Sequence, residues 1–351
     1  MIKAKGIATQ GAAEKLSPFS FERRDPREND VVIDILYCGI CHSDIHTARG
    51  EWAGTRYPLV PGHEIVGRVS KIGDKITKFK IGDLVGVGCL VDSCRKCNSC
   101  GEGLEQYCEN GFVGTYNGFD KIGGTPHKLT FGGYSNVITV DERFVLTIPQ
   151  NLDPAAAAPL LCAGITTYSP LKHWKVGAGQ KVGIIGLGGL GHMGVKIAHA
   201  MKAKVVMITT SPEKAKDAQK LGADEVLISK DAAAMKAAQN SFDFLLNTIP
   251  VGHDVDPYMN LLKRDGTMVI VGAVEALTKV NAMPFIFRRR NMAGSLIGGL
   301  PETQEMLNFC GEHNIVCDIE KINADEINEA YDRTVKGDVK YRFVIDIASI
   351  K

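Results

Sequence analysis

The sequence predicts an α/β protein of two domains, in which a β-rich part precedes a doubly wound parallel sheet. Three observations support this fold class. The chain has 351 residues, which corresponds to two domains at roughly 150 residues each. Short β-branched runs separated by turns dominate the first half, whereas strands and helices alternate after about Pro154. A glycine-rich segment joins the first strand and the first helix of the alternating part.

The composition is that of an ordinary globular chain. Hydrophobic residues make up 44% and charged residues 23%, which excludes a disordered, collagen-like or coiled-coil chain. The 41 basic and 40 acidic residues give a net charge of +1, which provides no overall attraction to nucleic acid or anionic lipid. No secretory signal and no run of about 20 apolar residues occurs. We therefore expect a cytoplasmic protein without a membrane or nucleic-acid partner.

The elements follow in order from the residue patterns. In the first half, β-branched runs predict strands, and one short helix is expected from Ser43 to a stop at Gly50. The strands of the first half are expected at 31–37, 64–72 and 80–91. In the alternating part, strands are expected at 181–186, 205–209, 225–229, 242–248 and 267–272, with helices at 189–202, 212–222, 232–239 and 256–263. The chain is expected to close with a strand at 291–299, helices at 302–314 and 324–336, and a strand at 342–347.

The ten cysteines are expected to be reduced in the cytoplasm, so clustered ones indicate metal binding. The tight cluster is Cys94, Cys97, Cys100 and Cys108, with the spacing C-x2-C-x2-C-x7-C. Four thiolates complete a zinc tetrahedron and leave no open position, which is typical of a structural site. An iron–sulfur cluster is the competing interpretation, but the ferredoxin run continues x3-C-P. Here Glu109 follows the fourth cysteine.

A second, dispersed constellation consists of Cys41, of His63 and Glu64 in the segment PGHE, and of Cys162. Two cysteines and one histidine with a fourth position left for water are typical of a catalytic zinc site. Cys38 and Cys41 also match a C-x-x-C redox pair, but the flanks lack the thioredoxin-like context that this pair requires. Cys38 is therefore expected to be a packed thiol.

The glycine-rich segment is Gly186, Leu187, Gly188, Gly189, Leu190 and Gly191, which reads G-x-G-x-x-G between a predicted strand and a predicted helix. Glycines at these positions permit a tight turn, close approach of a pyrophosphate and helix–strand packing. The amino end of the helix then attracts the phosphates. The segment therefore predicts a dinucleotide site.

The end of the next predicted strand indicates which dinucleotide binds. Thr209, Thr210 and Ser211 stand where an NAD site usually has an acidic residue. Hydroxyl groups and Lys214 suit a 2′-phosphate instead, which favours NADP(H). The same residues could also cap the following helix.

Taken together, these motifs resemble the zinc-dependent medium-chain alcohol dehydrogenases, and most closely the cinnamyl alcohol dehydrogenase-like branch that uses NADPH. The segments that carry the resemblance are GHEIVGRV, the four-cysteine lobe, PLLCAGITTYSPLK and GLGGLGHMGVK. The resemblance implies a GroES-like β-barrel catalytic domain of residues 1–153 and 290–351, with a structural-zinc lobe at 89–110. It implies a Rossmann NADP-binding domain of residues 154–289.

The resemblance also implies roles for single residues. Cys41, His63 and Cys162 would hold the catalytic zinc, with Glu64 behind them or as an exchangeable fourth ligand. Ser43 and His46 would form a proton relay, and Trp52 and Cys89 would line the substrate pocket. Thr166 would pack against the nicotinamide. Ser295 and Ile297 belong to a stretch, 294–299, that would border the nicotinamide and continue the sheet across a dimer. His46 could instead only bond its own helix, and Trp52 could be an ordinary half-buried aromatic residue. The loop Asn117–Thr130 matches nothing in the family pattern.

We therefore expect reversible hydride transfer between NADP(H) and an alcohol/aldehyde pair, with two zinc ions per chain and a homodimer. Primary alcohols and aromatic, cinnamyl-type or aliphatic aldehydes are the expected small-molecule substrates. One alternative is a related zinc dehydrogenase acting on polyols or secondary alcohols. Another is a non-catalytic zinc-binding module, which the net acidic lobe disfavours. Arg288, Arg289 and Arg290 form the only basic triplet, which is expected to be a solvated turn between domains.

Overall fold

The computed structural model describes residues 1–120, 128–272, 275–277 and 280–351. The chain forms two compact units: Met1–Cys162 together with Gly298–Lys351, and Ala163–Ile297. The sequence placed the boundaries after residues 153 and 289. The segment that follows residue 153 lies in the first unit because its helix and 3-10 turn pack against central strands of that unit.

The strands and helices are numbered along the chain. The strands are β1 Ile2–Ala8, β2 Ser17–Arg23, β3 Asp30–Gly39, β4 Ile65–Ile72, β5 Leu84–Val87, β6 Leu90–Asp92, β7 Val113–Gly114, β8 Val137–Asp141, β9 Leu146–Thr147, β10 Lys181–Ile185, β11 Lys204–Thr209, β12 Glu225–Ile228, β13 Phe242–Asn247, β14 Leu262–Ile270, β15 Asn291–Gly294, β16 Ile319–Ile322 and β17 Arg342–Asp346. The helices are α1 His42–Ala48, α2 Asn98–Gly101, α3 Pro154–Ala157, α4 Ala163–His173, α5 Gly191–Ala200, α6 Ala215–Lys220, α7 Ala232–Ala237, α8 Asp256–Met259, α9 Met283–Ile286, α10 Leu300–His313 and α11 Ile327–Lys336. None of these helices is long and apolar enough to span a bilayer.

A seven-stranded sheet organises the first unit, in the order β16-β17-β3-β4-β5-β9, with β8 also paired to β3. β3 is central because its Val31–Ile33 stretch is almost fully buried and it pairs with β4, β8 and β17. The register of β3 and β4 places Cys38 opposite Ile65. The loop after β3 and the segment before β4 therefore leave the sheet at the same end.

The second unit is a parallel six-stranded sheet in the order β12-β11-β10-β13-β14-β15. Its central strands are apolar on both faces, as in Val182, Ile184 and Leu245, which are fully buried. The chain order reverses between β10 and β13. This is the topological switch point at which open parallel sheets bind ligands, outside the carboxyl ends of the strands.

Several elements differ from the sequence expectation. The helix expected at 256–263 ends at Met259, and β14 begins at Leu262, because residues 262–270 pair with β13 and β15. The strand expected at 291–299 ends at Gly294. The run 80–91 divides into β5 and β6, which belong to different sheets. Residues 121–127 of the loop Asn117–Thr130 lie outside the described residues.

The basic triplet lies within the second unit rather than between domains, and Arg288 and Arg289 are exposed as predicted, whereas Arg290 is not. Arg290 is 7% exposed and lies within the second unit, where it donates to the Leu262 carbonyl at 2.8 Å and to Asn240 Oδ1 at 2.8 Å. Arg289 forms an ion pair with Asp265. Arg290 therefore holds the turn before β15 to the start of β14, which the sequence pattern could not indicate.

Candidate functional site

One buried cluster brings together four of the predicted ligands. Cys41, His63, Glu64 and Cys162 each offer one ligand atom, and these atoms lie within 4.8 Å of one another. Cys41 is the N-cap of α1, His63 and Glu64 directly precede β4, and Cys162 caps the 3-10 turn after α3. The common end of β3 and β4 therefore explains why the first three meet.

The donor set fits zinc. Two sulfurs bound to one tetrahedral zinc at about 2.3 Å would lie about 3.8 Å apart, and the Sγ atoms of Cys41 and Cys162 are 3.9 Å apart. The pKa of Cys41 is well below its usual value, chiefly because Cys162 donates a hydrogen bond to it. The same hydrogen bond, one with Cys89, and burial raise the pKa of Cys162 well above its usual value. The shared hydrogen bond thus makes Cys41 the more acidic of the two thiols.

Asp44 holds the imidazole ligand, and sequence reasoning missed it. Its side chain is fully buried. Oδ1 accepts from His63 Nδ1 at 3.0 Å and from Gly62 N–H at 3.1 Å, and Oδ2 accepts from Cys41 N–H at 2.9 Å. Tyr134 Oη–H also donates to Oδ2, at 3.2 Å. Because Nδ1 faces the carboxylate, Nε2 is the nitrogen left for a metal. Burial alone would lower the pKa of His63, but Asp44 raises it well above the usual value.

Glu64 has a partner that the sequence also did not predict. Arg342 of β17, which is buried, donates to Glu64 Oε1. The second oxygen, Oε2, is buried without a hydrogen-bond partner, which is the state expected of a carboxylate kept near a cation site. Burial raises the pKa of Glu64 to about 7, although Arg342 acts to lower it. A Cβ at Gly39 would overlap Oε2, so a larger residue there would displace the Glu64 carboxylate. The signal available in the sequence was a charged residue opening the apolar strand RFVID.

The proposed relay residues lie on α1. Ser43 Oγ is 3.7 Å from Cys41 Sγ, so this hydroxyl borders the cluster. His46 Nδ1 bonds the Glu51 carboxylate, which answers the alternative that His46 only bonds its own helix. The Trp52 ring stacks on His46, with ring centres 5.5 Å apart, and Trp52 is 39% exposed. Glu51 is a further residue that sequence reasoning missed.

Two other residues contact the ligands from the side. The Tyr116 ring lies 5.7 Å from the His63 ring, centre to centre. Cys89 Sγ is 3.7 Å from the Leu161 carbonyl and lies next to Cys162, whose pKa it raises. The predicted pocket residue Cys89 is therefore beside the ligand cluster.

The four-cysteine lobe forms a second cluster, with the ligand sulfurs of Cys94, Cys97, Cys100 and Cys108 within 4.8 Å of one another. Cys94 Sγ and Cys100 Sγ are 3.9 Å apart, which again matches two sulfurs of one tetrahedral zinc. Hydrogen bonds from backbone N–H groups, that of Lys96 first, lower the pKa of Cys94 to about 6. The lobe is tied to α10 because Glu105 accepts from Leu300 N–H at 2.9 Å.

The glycine-rich turn stands at the switch point of the second unit, between β10 and α5. Gly186 has φ +92°, and a Cβ at Gly191 would overlap the Gly186 carbonyl oxygen. A Cβ at Gly188 would meet nothing within 4 Å, so the backbone there is open to a ligand. The predicted helix began at Gly189, whereas α5 begins at Gly191. The turn fits a pyrophosphate seated at the amino end of α5.

The residues at and after the end of β11, which were predicted to bind the 2′-phosphate, lie near this turn. Thr209 ends β11, and its Oγ1 accepts from Ser211 N–H at 3.2 Å. Ser211 precedes a 3-10 turn but makes no side-chain cap hydrogen bond, which argues against the capping alternative for its hydroxyl. Lys214 Nζ donates to the Leu187 carbonyl at 3.3 Å. The cation therefore reaches the glycine-rich turn from the 3-10 turn that follows β11.

The other predicted cofactor residues are in the same unit. Thr166 is buried in α4. Ser295 follows β15, and its N–H donates to the Ile270 carbonyl at 3.3 Å. Ile297 has φ +36°. The structure places Ser295 and Ile297 in the loop after β15 rather than in the strand.

Comparisons with known proteins agree with this arrangement. The family model described as alcohol dehydrogenase GroES-like domain matches residues 27–150, and the one described as zinc-binding dehydrogenase matches residues 189–312. The chain is 57% identical to aldehyde reductase YahK of Escherichia coli (strain K12) over 98% of each chain. Its structure is similar to that of a cinnamyl alcohol dehydrogenase from Sorghum bicolor, with a TM-score of 0.95, 46% identity and 99% of each chain covered. It is also similar to the CAD from Helicobacter pylori complexed with NADP(H), with a TM-score of 0.92, 42% identity, and 100% of this chain and 99% of that one covered.

Proposed function

The chain belongs to the zinc-dependent alcohol dehydrogenase family, and from this membership we propose which residues carry the reaction. It catalyses zinc-dependent alcohol oxidation or aldehyde reduction with NADP(H). The single observation that carries the assignment is the cluster of Cys41, His63 and Cys162, whose ligand atoms lie together with that of Glu64 in a buried site. These three residues hold the catalytic zinc, and Glu64 stands behind them as an exchangeable ligand.

Zinc bound there supplies a Lewis acid that lowers the pKa of an alcohol hydroxyl or polarises an aldehyde carbonyl. The chain holds the site in a form suited to that task. Asp44 orients His63 so that Nε2 faces the ligand cluster. Arg342 keeps one oxygen of Glu64 occupied and leaves the other free to exchange.

Ser43 and His46 carry the proton between the substrate and solvent. Ser43 borders the cluster, and its hydroxyl can both accept and donate a proton. His46 lies one turn further along α1 and is partly exposed. The Glu51 carboxylate bonds His46 Nδ1 and so holds the ring in place, and the relay ends at a residue that is partly open to water.

NADP(H) binds at the switch point of the second unit and supplies the hydride or accepts it. Gly186, Gly188, Gly189, Leu190 and Gly191 hold the pyrophosphate against the amino end of α5. The 2′-phosphate is bound by a separate set of hydroxyl and ammonium groups, namely Thr209, Thr210, Ser211 and Lys214. Thr166, Ser295 and Ile297 border the nicotinamide. The reach of Lys214 to the turn supports the preference for NADP(H) over NAD(H).

The four-cysteine lobe holds a second, structural zinc, so each chain binds two ions. Four sulfurs complete its coordination and leave no position for substrate. The hydrogen bond from Leu300 N–H to Glu105 links this lobe to α10, so the lobe and the rest of the first unit should stabilise each other.

Trp52 and Cys89 line the substrate pocket. Trp52 presents a half-exposed ring stacked on the relay histidine, and Cys89 adjoins the ligand Cys162. An aromatic ring on one side and a thiol on the other suit apolar aldehydes, including aromatic and cinnamyl-type ones. The similarity to a cinnamyl alcohol dehydrogenase supports the same substrate class.

The protein forms a homodimer through the edge of its parallel sheet. Among the described strands, β15 pairs only with β14, so its other edge is available for pairing. Shortly before β15 in the chain, Ile286 and Phe287 are 71% and 75% exposed. Exposed apolar side chains and an open strand edge are typical of a subunit interface.

Two cysteine variants test the division into a catalytic and a structural site. The holoenzyme is assayed for zinc content, for melting temperature, and for oxidation of NADPH and NADH with aromatic and aliphatic aldehydes. We expect two zinc ions per chain in the wild type. Cys162→Ser should lose about one ion and nearly all activity while melting near the wild-type temperature.

Cys100→Ser should instead lower the melting temperature and leave activity in the fraction that stays folded, because a structural zinc contributes to folding. Equal loss of activity with unchanged melting in both variants would contradict the assignment. No NADPH-dependent reduction of any aldehyde by the wild type would overturn the proposed function itself.

A further inference from the structure

The loop that follows β13 lies at the switch point but has no role in the site described so far. β10 and β13 are neighbours in the sheet, and the chain order reverses between them. Loops that follow the two strands at a switch point form the walls of the crevice that binds a ligand. The glycine-rich turn follows β10, and residues 248–255 follow β13. The second wall is thus this loop.

A histidine and an asparagine close the loop on itself. Asn247 is fully buried at the end of β13, and its Oδ1 accepts from Ile249 N–H at 3.2 Å. Its Nδ2 lies 2.9 Å from His253 Nε2. Since an amide nitrogen only donates, Nε2 must be the acceptor, and the proton of the neutral imidazole is on Nδ1. Nδ1 is 2.8 Å from the Val251 carbonyl, to which it donates.

The loop is also held from outside. Gly252 N–H donates to Glu275 Oε2 at 2.8 Å. The Tyr258 ring of α8 meets the His253 ring edge to face, with ring centres 6.0 Å apart. His253 therefore has a fixed position and a fixed tautomer in a segment that no regular backbone pairing holds.

Thr248 connects this loop to the glycine-rich turn. Its Oγ1 bonds the Ile185 carbonyl at 2.8 Å, with the Gly186 carbonyl at 3.1 Å as a second acceptor. A Cβ at Gly191 would meet the same Oγ1 at 3.4 Å, so the hydroxyl is in contact with both ends of the turn. A displacement of the loop would therefore move the groups that set the shape of the turn.

We propose that His253 is a positioning residue for the dinucleotide, acting through its hydrogen bonds to Asn247 and Val251 to hold Thr248 against the glycine-rich turn. The inference rests on the proposed binding of NADP(H) at that turn. His253 affects the part of the crevice that receives the pyrophosphate, which NADPH and NADH have in common. Lys214 is proposed to bind the 2′-phosphate, which NADH lacks, so its loss should weaken NADPH much more than NADH. The two residues should thus differ in cofactor selectivity.

The test uses His253→Phe in the holoenzyme, since phenylalanine keeps a ring against Tyr258 and removes both hydrogen bonds. The Kd of NADPH and of NADH is measured by nicotinamide fluorescence, with KM, kcat and melting temperature alongside. We expect both Kd values and the KM for NADPH to rise about tenfold, as for the loss of two neutral hydrogen bonds. We expect kcat at saturating NADPH to stay within about twofold of wild type.

Three further variants complete the test. His253→Gln, which keeps an acceptor for Asn247, should restore most of the affinity. Lys214→Ala should weaken NADPH much more than NADH, and His313→Phe, an exposed imidazole on α10, should change neither cofactor. If His253→Phe does not fold, His253→Ala carries the same expectation.

The outcomes separate the inference from the proposed function. Wild-type affinity for both cofactors in the His253 variants would overturn the inference while leaving the proposed function intact. The inference would also be overturned if kcat fell by the same factor as the affinity, the melting temperature fell as well, and His253→Gln restored neither. That result would indicate a merely structural role. Absence of NADPH binding by the wild type would instead overturn the proposed function.

Discussion

At the scale of single residues, a buried carboxylate determines how the proposed metal ligands are held. Asp44 accepts hydrogen bonds from the backbone N–H groups of Cys41 and Gly62, from the His63 ring and from the Tyr134 hydroxyl. It therefore fixes two ligands at once, although it binds no metal itself. Partners of this kind hold a ligand's tautomer and orientation and strengthen metal binding.

Asp44→Asn tests this role with little change of shape. An amide offers one acceptor oxygen instead of two, so either His63 or a backbone N–H loses its partner. We expect zinc affinity and kcat to fall by about ten- to a hundredfold, measured as zinc retained against a chelator and as aldehyde reduction. Asp34→Asn is the control, because Asp34 is exposed and accepts from Ser70. Equal zinc retention in the two variants would show that Asp44 does not support the ligands.

Sequence reasoning pointed to the residues that the structure clusters but not to the residues behind them, for a physical reason. Cys41, His63 and Cys162 can be recognised from their residue type and local sequence context. Asp44 and Arg342 act only because folding buries them against partners distant in the chain, such as Glu64 for Arg342. The boundary between the two compact units also falls directly after Cys162, and no local pattern in the sequence marks it.

At the scale of elements, the turn between β10 and α5 separates two uses of glycine. Gly191 is needed for packing, because a Cβ there would overlap the Gly186 carbonyl oxygen. Gly188 has open space around its Cβ position, so it is needed only if something else occupies that space. The alternation of strands and helices predicted this part of the fold, because each element buries its own apolar residues. The ends of the strands depended on pairing, as the early start of β14 shows.

Gly188→Ala is therefore expected to fold like the wild type and to bind cofactor less well. Its added methyl group meets no protein atom but enters the space proposed for the pyrophosphate. The KM for NADPH should rise by about tenfold or more while the melting temperature stays within about two degrees. Gly101→Ala, in α2 and equally open, should change neither. A normal KM in Gly188→Ala would argue that the phosphates do not lie over this turn.

At the scale of the whole molecule, the open edge of β15 and the exposed apolar side chains that precede it in the chain support the proposed homodimer. A strand edge with unpaired backbone groups and no cover is a place where another chain pairs. Ile286 and Phe287, which are more than two-thirds exposed, would leave water in a symmetric dimer. The family resemblance had already implied a dimer contact at 294–299, and the sheet order adds that β15, which ends at Gly294, is an edge strand.

Phe287→Asp should convert the dimer to a monomer. A carboxylate placed in an apolar interface stays unpaired and costs several kcal/mol, which is enough to shift a dimer of ordinary affinity. Light scattering should then give 38.0 kDa instead of twice that mass. Val335→Asp, an exposed site on α11, is the control and should keep the wild-type mass. A dimer that survives Phe287→Asp would place the interface elsewhere.

The pairing of β17 with β3 also sets an order of events during synthesis. The second unit is continuous in the chain, so it can complete its core as it leaves the ribosome. The first unit must wait for its last segment, and until then Glu64 lacks the arginine that it will bond. The second unit can therefore complete its fold before the first unit, in which the proposed ligands of the catalytic zinc lie.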